Sequence, residues 1–172
     1  MADRNDLIRK LAQAVRAHTG DDDGIVLPDY WDESVWQRLL AGAELLELSN
    51  GQVLLERKAS GEDLYFLVDG ALEISYPRSA SDSVTLRTIR PVAVVGEMSF
   101  FDHRLRSANV WACGNALAFR LPRAVFEDFR KTEPILAGDL LLALGRIVAV
   151  RLRRAIAGPI EDHKSTSFGG GY

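Results

Sequence analysis

From Glu44 to Leu121 the chain is a succession of short segments with alternating apolar residues, each closed by turn residues. "ELLEL" meets the turn "SNG" (49–51), "QVLLE" meets "KASG" (58–61), and "DLYFLV" meets Asp69-Gly70. "ALEISY" runs into the Pro- and Ser-rich loop 77–83, the shape of a long hairpin connection, and "VTLRTI" stops at Pro91. "ANVWAC" and "ALAFRL" flank Gly114-Asn115, which reads as a two-residue turn. Alternation of period two places one face of each segment in a core, and parallel pairing would need helical crossovers between strands. With no room for such crossovers, the run predicts an antiparallel sandwich or small barrel.

Helical periods flank this run. Leu7, Ile8, Leu11 and Val15 form one stripe over residues 5–18, with Asn5 or Asp3 as cap and "DDDG" (21–24) as the stop. That acidic run reads as a solvated loop, because the later oxygen ligands of a calcium loop are missing. A second short helix is expected from Pro28 or Ser34 to about Ala41, with Trp36, Leu39 and Leu40 inward. After Pro122, "RAVFEDFRK" (123–131) reads as a short helix with Val125, Phe126 and Phe129 inward. A longer one follows from about Ile135 to Ile156. Between Leu140 and Val150 it is apolar nearly all round, so more than one of its faces should be covered.

Composition narrows the function classes. The 172 residues carry a formal net charge of −3, against a general affinity for nucleic acid or anionic membranes. A single cysteine, Cys113, excludes an intrachain disulfide and a thiolate cluster. His18, His103 and His163 have no metal-ligand spacing. The amino terminus is charged where a signal peptide needs an apolar run, and Asp139 and Arg146 interrupt the longest apolar stretch. These features predict a cytoplasmic protein without a membrane span. An enzymatic reading would need Cys113 as nucleophile and His103 as base. No oxyanion or acid motif accompanies them, and the chain is expected not to be an enzyme.

The stretch "VVGEMSFFDHRLRSANVWA" (94–112) carries the most chemistry. Gly96 ends an apolar strand and precedes residues of helical period, so it permits a tight strand-to-helix turn. The free amides of that helix start attract an anion, which makes the adjacent Glu97 out of place unless it accepts hydrogen bonds from hydroxyls. Arg106 supplies a planar cation suited to phosphate, Ser107 a hydroxyl, and Ala108 leaves room. Together these residues describe a site for a phosphorylated sugar. By themselves they also fit an ordinary surface turn, where such an arginine usually faces water or pairs with a carboxylate.

At this point the chain resembles the cyclic nucleotide-binding domain family, which includes the catabolite activator, protein kinase A regulatory subunits and cyclic-nucleotide-gated channels. "GEMSFF" and "RSA" resemble its phosphate-binding cassette. "GQVLLERKASGEDLYFLVDGALEI" resembles its framing pattern, with Gly51, Gly61, Tyr65, Phe66 and Gly70 in place. "LPRAVFEDF" and "LLLALGRIVAVRLRRA" resemble its two helices after the barrel. The resemblance covers about residues 34–156 and implies an α+β fold. Its core is an antiparallel β-roll, or jelly-roll barrel, flanked by N-terminal helices and a long C-terminal helix.

By that resemblance Glu97 takes the ribose 2′-hydroxyl and Arg106 the cyclic phosphate, with Gly96, the Met98–Ser99 backbone, Ser107 and Ala108 completing the ligand-binding set. Arg146 or Arg151 is the candidate lid over the base. The implied ligand is cAMP in preference to cGMP, since the family's cGMP binders often carry threonine where Ser107 stands; no cofactor or metal is implied. The chain departs from the family pattern at Pro91-Val92-Ala93, at Lys58 and His103 where glycines are usual, and at Leu105 where a proline is common.

The implied organisation is an N-terminal helical extension and acidic loop (1–33), a β-roll (34–134) with its cassette at 94–108, a lid or dimerisation helix (135–157) and a flexible tail (158–172). The implied role is a sensor that regulates an effector protein through movement of its C-terminal helix and forms a homodimer through that helix. About fifteen residues follow it, so no helix-turn-helix and no direct DNA binding are expected. The alternative is a degenerate domain that binds no ligand and serves as a dimerisation or scaffold module.

Overall fold

The computed structural model describes residues 3–18, 27–76 and 85–157. The acidic run 21–24, the loop 77–83 and the tail 158–172 lie outside the described residues. In chain order the elements are α1 (Arg4–Ala17), α2 (Glu33–Leu39), β1 (Glu44–Leu48), β2 (Val53–Leu55), β3 (Leu64–Asp69), β4 (Leu72–Tyr76), β5 (Thr85–Ile89) and β6 (Ala93–Val95). They continue with α3 (Glu97–Asp102), β7 (Asn109–Ala112), β8 (Ala116–Leu121), α4 (Arg123–Thr132) and α5 (Pro134–Ala157).

The strands make two antiparallel four-stranded sheets, in the orders β1-β8-β3-β6 and β2-β7-β4-β5. The chain is an α+β protein, a jelly roll with helices at both ends. The turn at Gly114-Asn115 does not close a hairpin: β7 lies in one sheet and β8 in the other. The chain from β1 to β2 crosses between the sheets beside it, and the two crossings are tied together. Gly51 N donates to Ala112 O at 2.8 Å, Ala112 N to Gln52 O at 2.9 Å, and Gly114 N to Asn50 Oδ1 at 2.8 Å. β1 and β2 thus act as one long bent strand running against β7 and β8, and the turn residues mark its corner.

β3 is buried from Leu64 to Val68 because it has a sheet on one side and helices on the other. Trp36 of α2 meets Phe66 edge-on at 5.9 Å, and Trp31 at 5.1 Å. α2 starts at Glu33 because the Asp32 side chain accepts a hydrogen bond from Val35 N at 3.0 Å and caps it. α1 is capped by Asp3. On α5, Ala137, Leu140, Ala143, Leu144 and Ile147 are buried. The second face, expected to be covered by a partner helix or a ligand, is open within this chain: Ile135, Leu142, Leu152 and Ile156 are exposed. No helix among the described residues is long and apolar enough to cross a membrane.

Candidate functional site

β6 delivers the chain to Gly96, which turns it into α3 with φ of +94°. A Cβ there would stand 2.5 Å from Asp63 O and 2.9 Å from Arg106 Nη1, so both conformation and space demand glycine. No side chain caps α3, and the amides of Glu97, Met98 and Ser99 have no acceptor within the helix. They open into a concavity of about 350 Å³, partly continuous with solvent. Its polar side is Gly96–Ser99, Arg106, Ser107 and Arg151, and its apolar wall is Leu55, Ile74, Val95, Ala108 and Val110.

Arg106 is fixed by its backbone first. Its N–H donates to Ala59 O and its carbonyl accepts from Lys58 N, both at 2.9 Å. The guanidinium then reaches inward, donating to Gly96 O and Asp63 O at 3.1 Å each, with its centre 5.8 Å from the Tyr65 ring. Gly61 makes room for it, since a Cβ there would lie 3.2 Å from Nη2. Arg106 is 5% exposed, and among the described residues it is in no salt bridge. Burial lowers its pKa, opposed by the neighbouring Tyr65, Asp63 and Glu97. A buried cation held only by neutral carbonyls has unspent capacity for an anion.

Glu97 faces the same concavity and is buried. Its Oε1 lies 2.6 Å from Arg151 Nη1, and Arg151 Nη2 donates to Val94 O at 2.8 Å. Arg106 therefore does not pair with Glu97; the arginine that does comes from α5, more than fifty residues on. Ser107 Oγ donates to Met98 Sδ at 3.3 Å across the mouth, and Ala108 is buried beneath it. Of the two candidate lid arginines, only Arg151 reaches the site. Arg146 is exposed and lies near Tyr30 and Asp139, away from the pocket.

Sequence reasoning missed Asp63 and the apolar wall. Asp63 joins three parts of the site's frame: its carbonyl takes Arg106, while its carboxylate accepts from Arg120 Nε at 2.8 Å and Arg123 N at 3.1 Å. The departures from the family pattern show their physical consequence here. Lys58 and His103 occupy left-handed backbone, with φ of +69° and +57°, where glycine is unstrained. His103 Nδ1 lies 2.9 Å from Glu62, on the loop beside Gly61.

The arrangement can hold an anion and accept a hydroxyl's proton in a hydrogen bond. It has no nucleophile with an adjacent base. Cys113 is exposed, and its neighbour is Glu73, whose hydrogen bond and charge raise the thiol's pKa. Among the described residues no group of histidine, cysteine and carboxylates could hold a metal ion.

The family model of the cyclic nucleotide-binding domain matches residues 45–133. Neuropathy target esterase sws of Drosophila persimilis is 22% identical over 141 residues, which is 78% of this chain and 10% of that protein. Glutaminase 1 of Bradyrhizobium diazoefficiens is 32% identical over 103 residues, 60% of this chain and 16% of that protein. The chain thus spans only a small part of the curated relatives it matches.

Among solved structures, a cyclic nucleotide-binding domain from Methylobacillus flagellatus KT superposes with a TM-score of 0.73 at 18% identity, covering 87% of this chain and 80% of that one. The catabolite activator protein of Thermus thermophilus does so with a TM-score of 0.64 at 21% identity, covering 76% and 59%. At such identities the structures show the fold. The family model reaches across more than half of the chain, from β1 into α4, and the chain belongs to the cyclic nucleotide-binding domain family.

Proposed function

We propose that the concavity binds a cyclic nucleotide, cAMP in preference to cGMP, and that the chain is a sensor whose output is carried by α5. The observation that carries this reading is Arg106: a buried guanidinium whose hydrogen-bond partners are two neutral carbonyls, beside three amides without helical acceptors. The cyclic phosphate docks on Arg106, the Met98 and Ser99 amides and Ser107. The ribose hydroxyl donates to Glu97.

Glu97 offers one oxygen to Arg151 and has a second for the hydroxyl. Ligand and α5 thereby share one buried carboxylate. Each orders it for the other, so nucleotide binding favours the state with α5 docked over the pocket, a population shift that an effector protein on α5 can read. A homodimer through α5 belongs to the same reading.

One observation favours a second reading. Glu97 is already neutralised by Arg151, so the pocket is electrostatically satisfied at that residue without ligand. In that case the domain is a ligand-free dimerisation or scaffold module. Thermal melting with cAMP, cGMP and cyclic dinucleotides separates the two. A ligand at 100 times its dissociation constant stabilises by about 2.7 kcal/mol, which for a chain of this size raises Tm by about 5–11 °C. A rise with cAMP larger than with cGMP supports the sensor as stated. No rise with any of them supports the scaffold.

A further inference from the structure

Met98 stands in the first turn of α3, lines the concavity and is 45% exposed. Its thioether sulfur accepts the Ser107 hydroxyl at 3.3 Å. Ser107 follows Arg106 in the chain and lines the same concavity, so the sulfur touches a group beside the anion's place. Phe100 of the same helix belongs to the hydrophobic core, and Met98 does not. Packing therefore does not account for this side chain, and its sulfur is open to solvent-borne reagents.

A thioether is a weak hydrogen-bond acceptor. It holds the Ser107 hydroxyl loosely and gives it up to a phosphate oxygen, which is ionised and accepts more strongly. A sulfoxide in the same place would compete, because its oxygen is a strong acceptor with partial negative charge. We propose that Met98 is a site of reversible oxidation by hydroperoxides that lowers the affinity of the concavity for its anionic ligand. The inference rests on the reading of the concavity as a cyclic nucleotide site.

The chemistry is a two-electron oxygen transfer. A sulfur lone pair attacks a peroxide oxygen, an S–O bond forms and the O–O bond breaks. The proton on the transferred oxygen passes to the departing hydroxide, which leaves as water. Thiol-dependent methionine sulfoxide reductases reverse the change. Two thiols supply the electrons and become a disulfide, and the oxygen leaves as water. In the oxidised site the sulfoxide oxygen takes the Ser107 hydroxyl that a phosphate would use. It also sets negative charge at the rim, where an incoming anion is repelled. The core is untouched, so the fold survives.

The test uses the full chain with Cys113→Ser, which removes the exposed thiol as a second target. The chain's other methionine is Met1, so a single internal peptide reports on Met98 by mass. In hydrogen peroxide Met98 gains one oxygen in the folded protein within about tenfold of its rate in the guanidinium-unfolded chain, since reactivity follows exposure. Stronger protection, or loss of the cooperative melt on oxidation, overturns the modification site.

Calorimetric titration of cAMP then compares untreated and oxidised protein. Oxidation weakens binding by about tenfold, the scale of one hydrogen bond to a charged group, and sulfoxide reductases with dithiothreitol restore it. In Met98→Leu, peroxide leaves the affinity where it stood before treatment. In Ser107→Ala the loss on oxidation is smaller, because the hydroxyl to be diverted is gone. Equal affinity of oxidised and untreated protein, or the same loss in Met98→Leu, overturns control through Met98. An undiminished loss in Ser107→Ala overturns the diversion of its hydroxyl. Untreated protein that binds no cAMP overturns the nucleotide reading and the control built on it, while the mass measurement still decides the modification.

Discussion

Arg151→Ala separates the charge of the α5 contact from its packing. Arg151 and Glu97 are 15% and 7% exposed at their side chains and 2.6 Å apart, so solvent screens them little. Removing the arginine leaves Glu97 buried at the start of α3 without its cation, a loss of about 3–5 kcal/mol for a buried pair broken from one side. Melting temperature changes by about 2–4 °C per kcal/mol in a chain of this size, so Tm falls by about 6–20 °C. Glu97→Gln added to Arg151→Ala removes the stranded charge and leaves a neutral amide to satisfy, a smaller cost of about 1–3 kcal/mol. The double variant therefore melts above the single one. Calorimetric or circular-dichroism melts at neutral pH read both. If Arg151→Ala melts within 2 °C of wild type, or if the double variant is no more stable than the single, the contact is not holding a buried charge. The account of α5 coupling through Glu97 then fails.

Gly96→Ala should destabilise the fold by about 2–4 kcal/mol in a chemical denaturation series, because the methyl group has no space against Asp63 O and φ is +94°. Lys58→Gly acts in the opposite direction. Its exposed side chain stands on left-handed backbone with φ of +69°, so glycine should add about 1 kcal/mol, seen as a rise in denaturation midpoint at unchanged slope. In acid the chain should lose stability. Asp32, Asp69 and Glu127 are held below the usual carboxylate range chiefly by hydrogen bonds from Ser34, Lys10 and Arg130 respectively. Their folded values are depressed, so their contribution is complete above the unfolded carboxylate pKa of about 4 and disappears as pH falls through the folded values. Melts across that range check it, and a Tm that rises on acidification contradicts it.

The strands were legible because alternation and turn residues are local signals, and every predicted strand segment contains an observed strand. Which strands pair was less so. Gly114-Asn115 has the composition of a hairpin turn, yet it carries the chain from one sheet to the other, and the contacts of Ala112 and Gly114 with Asn50, Gly51 and Gln52 reveal the corner. The cassette residues stood together in sequence and stand together in the fold. The Arg151–Glu97 contact had no local signature, but its helical phase was available. Arg151 follows Leu140, Leu144 and Ile147 on one face of α5, whereas Arg146 falls opposite. Asp63 gave no local signal, because its partners Arg106, Arg120 and Arg123 lie 43, 57 and 60 residues away.

The central claim is that Arg106 is held ready for a phosphate. Isothermal titration calorimetry of cAMP into wild type and into Arg106→Ala tests it most directly, with circular dichroism confirming that both are folded. Truncating one partner of a buried charge pair costs about 2–5 kcal/mol, or about 30- to 4,000-fold in dissociation constant. The account predicts binding to wild type and a loss of at least that lower factor in the variant. Equal affinity in the two proteins would contradict it.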